Sequence, residues 1–235
     1  MIQDEFYKKL EARGLTLNDI QKGQFHRFFE LLVEWNARMN LTGITDVSEV
    51  YAKHFYDCLD PFLVMDMPKI KTVCDVGTGA GFPGMPLAIA YPEVRFYLID
   101  SQGKRIRFLQ LCAKELGMTN VKAKHIRAEE FAIDKREYFD LVTSRAVARL
   151  HILVELCAPL VKVGGIFIAL KGPTGITELE EAKQGPSKLG LMHKKTNNPT
   201  IADVGERVNI YFEKIAETPR RYPRQFGQIK KKPLH

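Results

Sequence analysis

Val73-Cys74-Asp75-Val76-Gly77-Thr78-Gly79-Ala80-Gly81-Phe82-Pro83-Gly84 is a short apolar strand that reaches an acid and opens into glycines. The next apolar run, Val94-Arg95-Phe96-Tyr97-Leu98-Ile99, ends on a second acid, Asp100. Strand, glycine loop, helix, strand and acid in that order describe a nucleotide-binding βαβ unit. The loop lets a ligand approach bare backbone, and the carboxylate at the second strand end suits a ribose diol.

The spacing argues against a dinucleotide. That fingerprint needs glycine at its first, third and sixth positions. Here glycines fall at 77, 79 and 81, and the sixth position is Phe82. Pro83 and Pro86 follow, so the helix cannot run straight out of the loop, and Pro86 fits as an early helical residue. A pyrophosphate wants free N–H groups at a helix N-terminus, and the two prolines remove two of them. A ligand without phosphate fits better. The pattern D-x-G-x-G-x-G with an acid one strand later resembles the S-adenosylmethionine (SAM) loop of Rossmann-like methyltransferases. That resemblance implies SAM as cofactor, with Asp75, Gly77, Gly79, Gly81, Asp100 and Ser101 around it.

The rest of the chain bounds this reading. Its 235 residues, 45% of them apolar, can bury one good core plus a small appended unit. There is no run of 18 apolar residues, and Met1-Ile2-Gln3-Asp4-Glu5 lacks the shape of a signal peptide. A cytoplasmic chain without a membrane partner is expected. Cys58, Cys74, Cys112 and Cys157 show no C-x-x-C spacing and no neighbouring His cluster, so neither a metal nor a disulfide framework is expected.

Charge divides the chain into three. Residues 1–66 hold 7 basic and 11 acidic side chains, a balance of −4, and residues 67–217 hold 22 and 17, or +5. Residues 218–235 hold 6 basic side chains and no acid. Those six are Arg220, Arg221, Arg224, Lys230, Lys231 and Lys232, with Tyr222 and Phe226 interleaved. Cations with aromatics between them suit a phosphate backbone and exposed bases, so the tail is a candidate RNA contact. A solvated, frayed terminus is the competing reading.

The organisation follows the same division: a helical N-terminal extension over 1–66, a SAM-binding core over 67–217 and the basic tail over 218–235. Phe25, Phe28, Phe29, Leu32 and Trp35 recur at helical spacing and read as a face packed on the core, with Leu10, Leu15 and Ile20 in an earlier, shorter element. Asn40–Gly43 breaks the long helix, and Thr45–Glu49 reads as a capped start to another. From Thr72 strands and helices alternate, which predicts a mostly parallel sheet with helices on both faces. Strands are expected at 72–76, 94–99, 121–126, 140–143, 166–170 and about 207–212, with Gly164-Gly165 turning into the fifth. Residues 173–200 give no clear pattern beyond an exposed helix over 177–188.

The fourth strand ends in Thr143-Ser144-Arg145-Ala146. Methyltransferases acting on exocyclic amines often carry an (Asn/Asp/Ser)-Pro-Pro-aromatic motif at this place, and it is absent. So is a Pro-Cys pair of the cytosine-C5 type. The acceptor is then one that is already nucleophilic. Guanine N7 qualifies, because its lone pair lies in the ring plane and no proton must be removed. Positioning carries the reaction and no acid/base pair is required. Arg127-Ala128-Glu129 falls where adenine-contacting loops lie, although an ordinary polar turn reads the same way.

Several stretches resemble the 16S ribosomal RNA guanine-N7 methyltransferase family RsmG over nearly the whole length. They are Leu32–Asn36 with Asn40-Leu41-Thr42, His54–Asp57, Asp75–Gly84, Asp100-Ser101 with Lys104-Arg105, Arg127–Glu129, Ser144–Ala148, Leu170–Gly172 and Tyr222–Arg224. The resemblance implies a class I SAM-dependent methyltransferase core with a helical N-terminal extension. It implies methylation of guanine N7 at position 527, in the 530 loop of 16S rRNA. Carried over by motif, it places Gly77, Phe82, Ala128, Glu129 and Arg145 at the cofactor. Arg145 and Lys171 are the candidates for the substrate pocket, and no catalytic acid or base is implied. The partner would be 16S rRNA, in the small subunit or an assembly intermediate, and the protein a monomer. A methyltransferase for a small molecule or protein would not need the basic tail, and a non-enzymatic assembly factor would have no need of the ribose acid.

Overall fold

The computed structural model describes residues 2–65, 67–201 and 204–234. Seven strands form the central sheet: β1 Thr72–Val76, β2 Arg95–Asp100, β3 Val121–His125, β4 Phe139–Arg145, β5 Val161–Lys171, β6 Leu191–Asn197 and β7 Val208–Lys214. Their spatial order is β3-β2-β1-β4-β5-β7-β6. β1 to β5 pair in parallel, and β7 enters antiparallel between β5 and β6. Residues 200–201 and 205–206 form a separate two-stranded ribbon.

The parallel half matches the sequence reading because its strands are buried on both faces and so read as continuous apolar runs. β1 is buried throughout, and β2 is buried from Phe96 to Asp100. Two differences arise elsewhere. β5 starts at Val161, five residues earlier than expected, and Gly164-Gly165 lies inside it. The pairing shifts there, from Phe139 opposite Val161 to Leu141 opposite Ile166. A Cβ on Gly165 would meet the Asp140 carbonyl oxygen at 2.9 Å, so the glycine permits a close approach within the strand. β6 has no counterpart in the sequence reading. Only Leu191 of its seven residues is buried, and it lies at the sheet edge with Lys194 and Lys195 exposed. An edge strand guarded by lysines carries no apolar alternation to find.

The helical N-terminal segment covers one face of the sheet. Helices Gln3–Ala12 and Asp19–Met39 are followed by a helical run with a seven-residue π-helical centre, Val50–Tyr56. Asn18 caps the long helix through a reciprocal pair with Gln21, and Asn40 ends it in the left-handed region at φ 48°. Asp46 caps the next run by accepting from Ser48 N and Glu49 N. Of the expected aromatic face, Phe25, Phe28 and Leu32 are fully buried, while Ile20, expected in an earlier element, lies exposed in the first turn of the long helix. Phe28 reaches the glycine loop, its ring centroid 5.7 Å from that of Phe82. Burying a ring of this size contributes about 1.5–3 kcal/mol, so the extension and the loop stabilise one another.

The tail is packed. Arg136 donates to the carbonyls of Tyr222 and Thr218 at 2.9 and 2.5 Å. Glu155, wholly buried, accepts from Arg224 N and Nε at 2.9 Å and from Nη2 at 2.6 Å. Tyr222 and Ile229 are buried beside it, and helix Phe226–Lys231 closes the segment.

Candidate active site

The strand order reverses at β1, which has β2 on one side and β4 on the other. Ligands of open α/β sheets bind at the carboxyl ends of strands at such a point, and two adjoining cavities lie there.

The smaller cavity, about 280 Å³, is lined by the ends of β1 and β2, the turn before helix Ala128–Asp134 and the loop after β4. Gly77, Asp100, Ser101, Ala128 and Glu129 are on its wall. The backbone loop is drawn tight by strand-end bonds: Gly77 N and Thr78 N both donate to Ile99 O at 2.9 and 3.0 Å. Gly77 sits at φ +68°, and a Cβ there would meet Val147 Cγ2 at 2.3 Å. This position needs glycine for its conformation and for its neighbour. The Asp100 carboxylate accepts from Gly79 N at 3.0 Å and Gln102 N at 2.8 Å, and pairs with Arg105 at 3.4 Å.

Five expected cofactor residues, Asp75, Gly79, Gly81, Phe82 and Arg145, do not line this cavity. Asp75 is fully buried behind the wall, where it accepts from Thr78 Oγ1 at 2.7 Å and Gly84 N at 2.9 Å. Burial pushes its carboxyl up to about 6, against the lowering effect of those bonds. It shapes the loop from inside. Gly81, at φ +100°, faces Met85 and Leu109 and serves helix packing. Gly79 contributes its N–H to Asp100 and lines neither cavity. Phe82 also lines neither; its ring is held between His54, stacked at 4.5 Å, and the Arg145 guanidinium at 5.2 Å.

Arg145 faces the larger cavity, of about 600 Å³, together with Lys171. Asp57, Lys53, His54 and Arg207 are on the same wall. Asp57 Oδ1 pairs with Arg207 Nε at 2.9 Å and Oδ2 with Arg145 Nη1 at 3.4 Å. Burial raises the Asp57 carboxyl, and the two guanidinium charges oppose that rise. His54 lies half-buried, and this desolvation lowers it to about 4 with help from the Arg145 charge. It is neutral near pH 7, with Nε2 2.8 Å from Thr42 Oγ1.

Lys171 lines the cavity as a clamp. Its ammonium donates to Ala148 O at 2.5 Å and pairs with Glu178 at 2.8 Å. Glu178 Oε2 also accepts from Leu150 N at 2.8 Å. Burial would raise the Glu178 carboxyl, but the hydrogen bond and charge of Lys171 hold it below its usual range. The clamp fixes the loop 146–149, in which Ala146 takes φ 56°, a left-handed conformation unusual outside glycine. Ser144 holds the loop's other end by donating to Val76 O at 2.8 Å. Ala146 and Val147 line both cavities and separate them.

The tail divides its cations. Arg220, Arg221, Lys230, Lys231 and Lys232 are exposed. Arg224, expected beside them as an RNA contact, has its guanidinium committed to Glu155. Sequence reasoning left Arg207, Asp57 and Glu178 without a site role and placed Phe226 among the aromatics of an RNA-contacting tail. Asp57 and Arg207 meet across 150 residues of chain, and no local spacing signals such a pair.

The smaller cavity fits S-adenosylmethionine by its own chemistry. Asp100 and Glu129 on the wall can accept from the hydroxyls of a ribose and suit a ligand bearing a positive charge. Ile99, Ile126, Ala128 and Leu156 offer an apolar slot for a base. With the mostly parallel sheet in this order, the glycine loop after β1 and the acid ending β2, they define a class I SAM-dependent methyltransferase. Among solved structures, the chain is similar to a 16S rRNA (adenine(1408)-N(1))-methyltransferase from Catenulisporales acidiphilia (TM-score 0.55, 14% identity, covering 63% of this chain and 87% of that one). It is also similar to the antibiotic-resistance methyltransferase Kmr (TM-score 0.52, 18% identity, 62% and 87%). At these identities the likeness is one of fold.

The chain belongs to the rRNA small subunit methyltransferase G (GidB) family, whose profile matches residues 21–204. It is 48% identical to ribosomal RNA small subunit methyltransferase G of Brevibacillus brevis, with all of both chains covered. It is 50% identical to the protein of that name from Staphylococcus haemolyticus, over 97% of this chain and 95% of the relative.

Proposed function

We propose that this protein methylates N7 of guanine 527 in the 530 loop of 16S rRNA. It acts in the cytoplasm as a monomer, on the small subunit or an assembly intermediate. The observation that carries the reading is the state of the larger cavity's ionisable groups. Asp57 is held by two arginines, Glu178 by Lys171, and His54 is half-buried and neutral. None of these groups stands poised to take a proton, and guanine N7 yields none when it is alkylated.

SAM supplies an electrophilic methyl group on a sulfonium. The chain supplies position. Gly77 opens backbone to the cofactor, Asp100 offers carboxylate oxygens toward the ribose, and the clamped Ala146-Val147 segment sets the distance between the two ligands. Arg145, Arg207 and Lys53 give the larger cavity the positive rim that flanking phosphates of a splayed nucleotide would meet. The five exposed tail cations extend the attraction to RNA.

The test is chemical. Unmodified small subunits are incubated with protein and SAM, reduced with borohydride and cleaved with aniline, and the break is mapped by primer extension. A single break at guanine 527 is expected. Methyl incorporation without cleavage, or cleavage elsewhere, overturns the assignment.

A further inference from the structure

We infer that the C-terminal segment is a structural wall of the cofactor pocket, with the Phe226 ring as the surface on which the adenine base lies. This rests on reading the smaller cavity as the SAM site. Phe226 lines that cavity together with Ile126, Ala128 and Leu156. The Arg127 guanidinium lies over its ring, 5.9 Å from the centroid. The ring is half-buried, so it presents apolar surface to the cavity while packing against the sheet's second core.

The surrounding bonds hold it there. Arg136 grips two carbonyls of the preceding stretch, Arg224 is locked to buried Glu155 two residues before Phe226, and Ile229 is fully buried three residues after it. Purines stack on aromatic faces, and the rest of the slot is aliphatic. The same segment turns Arg220, Arg221 and Lys230–Lys232 outward. The tail therefore has an inner face for the cofactor and an outer, cationic face. Its removal would cost cofactor binding as well as any hold on RNA.

Isothermal titration of the full-length protein tests this with SAM and with 5′-methylthioadenosine, which lacks the amino-acid moiety. Phe226→Ala is expected to weaken both ligands by about tenfold or more, as the loss of one base–aromatic stack does, and Phe226→Leu by less. Asp100→Ala serves as the control for the pocket itself. Unchanged affinity in Phe226→Ala with a large loss in Asp100→Ala overturns the inference and leaves the site in place. Unchanged affinity in both removes the site reading as well. Trp35 is the single tryptophan, so Trp35→Phe with Phe226→Trp places one reporter at the wall. Its emission is expected to be quenched on titration with 5′-methylthioadenosine. No change in emission at saturating ligand overturns the inference independently of the alanine variant.

Discussion

Arg207 Nε lies 2.9 Å from Asp57 Oδ1, joining the residue that leads into β7 to the helical extension across 150 residues of chain. The other oxygen of Asp57 pairs with Arg145 at 3.4 Å. One carboxylate thus orients two guanidinium groups at the rim of the larger cavity, and both remain partly accessible.

Removing the Arg145 cation should separate the two ligands. Arg145→Ala is expected to lower methyl transfer to small subunits at least tenfold while SAM affinity stays within about twofold, since a charge-assisted contact is worth about 1.5–3 kcal/mol. Steady-state kinetics beside SAM calorimetry decide it. A large loss of SAM affinity with intact RNA binding would place Arg145 at the cofactor instead.

Gly77→Ala forces a side chain into the left-handed region, at a cost of about 1–2 kcal/mol, and drives it against Val147. SAM binding should fall by more than tenfold. Val147→Ala in the same chain should recover part of that loss by relieving the contact. No recovery would show that backbone strain alone accounts for the defect.

His54 is lowered from 6.5 to about 4. Its unfolded form therefore takes up a proton that the folded form refuses, and its stabilising contribution falls as pH drops from 6.5 toward 4. The full difference corresponds to about 3 kcal/mol. Asp75, raised to about 6, acts in the opposite sense over part of this range, because its folded form binds the extra proton. Urea melts of wild type and His54→Gln at pH 7 and pH 4.5 cancel the Asp75 contribution by difference. The gap between the two proteins should narrow at pH 4.5, and a gap independent of pH would refute the placement of His54.

Arg224→Ala leaves the Glu155 carboxylate buried without its partner, which costs roughly 3 kcal/mol. Arg224→Lys should recover only part, because an ammonium cannot make the forked contact. Denaturant melts would show this. A change below about 0.5 kcal/mol in Arg224→Ala would mean that the tail is not anchored there.

The legible parts of this chain were those written in local pattern. Buried parallel strands are continuous apolar runs, glycines mark the loop after β1, and Asp46 announces the helix that it caps. The sheet edge was not legible, because β6 owes its place to hydrogen bonds with β7 and shows solvent a row of polar side chains. In the site, the acids and glycines were found but their duties were not separable. Asp75 and Asp100 lie near the ends of neighbouring strands in similar sequence settings, yet one staples the loop from within and the other lies on the wall of the smaller cavity. Phe82 stands in the glycine loop but is claimed by His54 and Arg145. The partners that decide these roles lie far away in sequence.

Glu155 also sets an order of events at the chain's birth. Helix Leu150–Cys157 belongs to the interior of the sheet domain, and the side chain that neutralises it is made 69 residues later. Folding during synthesis proceeds from the N-terminal side, so the sheet is made before its partner. A nascent chain holding all seven strands still carries an unpaired acid in its core, which the arrival of Arg224 resolves. The sheet domain is therefore complete only once the segment beyond β7 has docked on it.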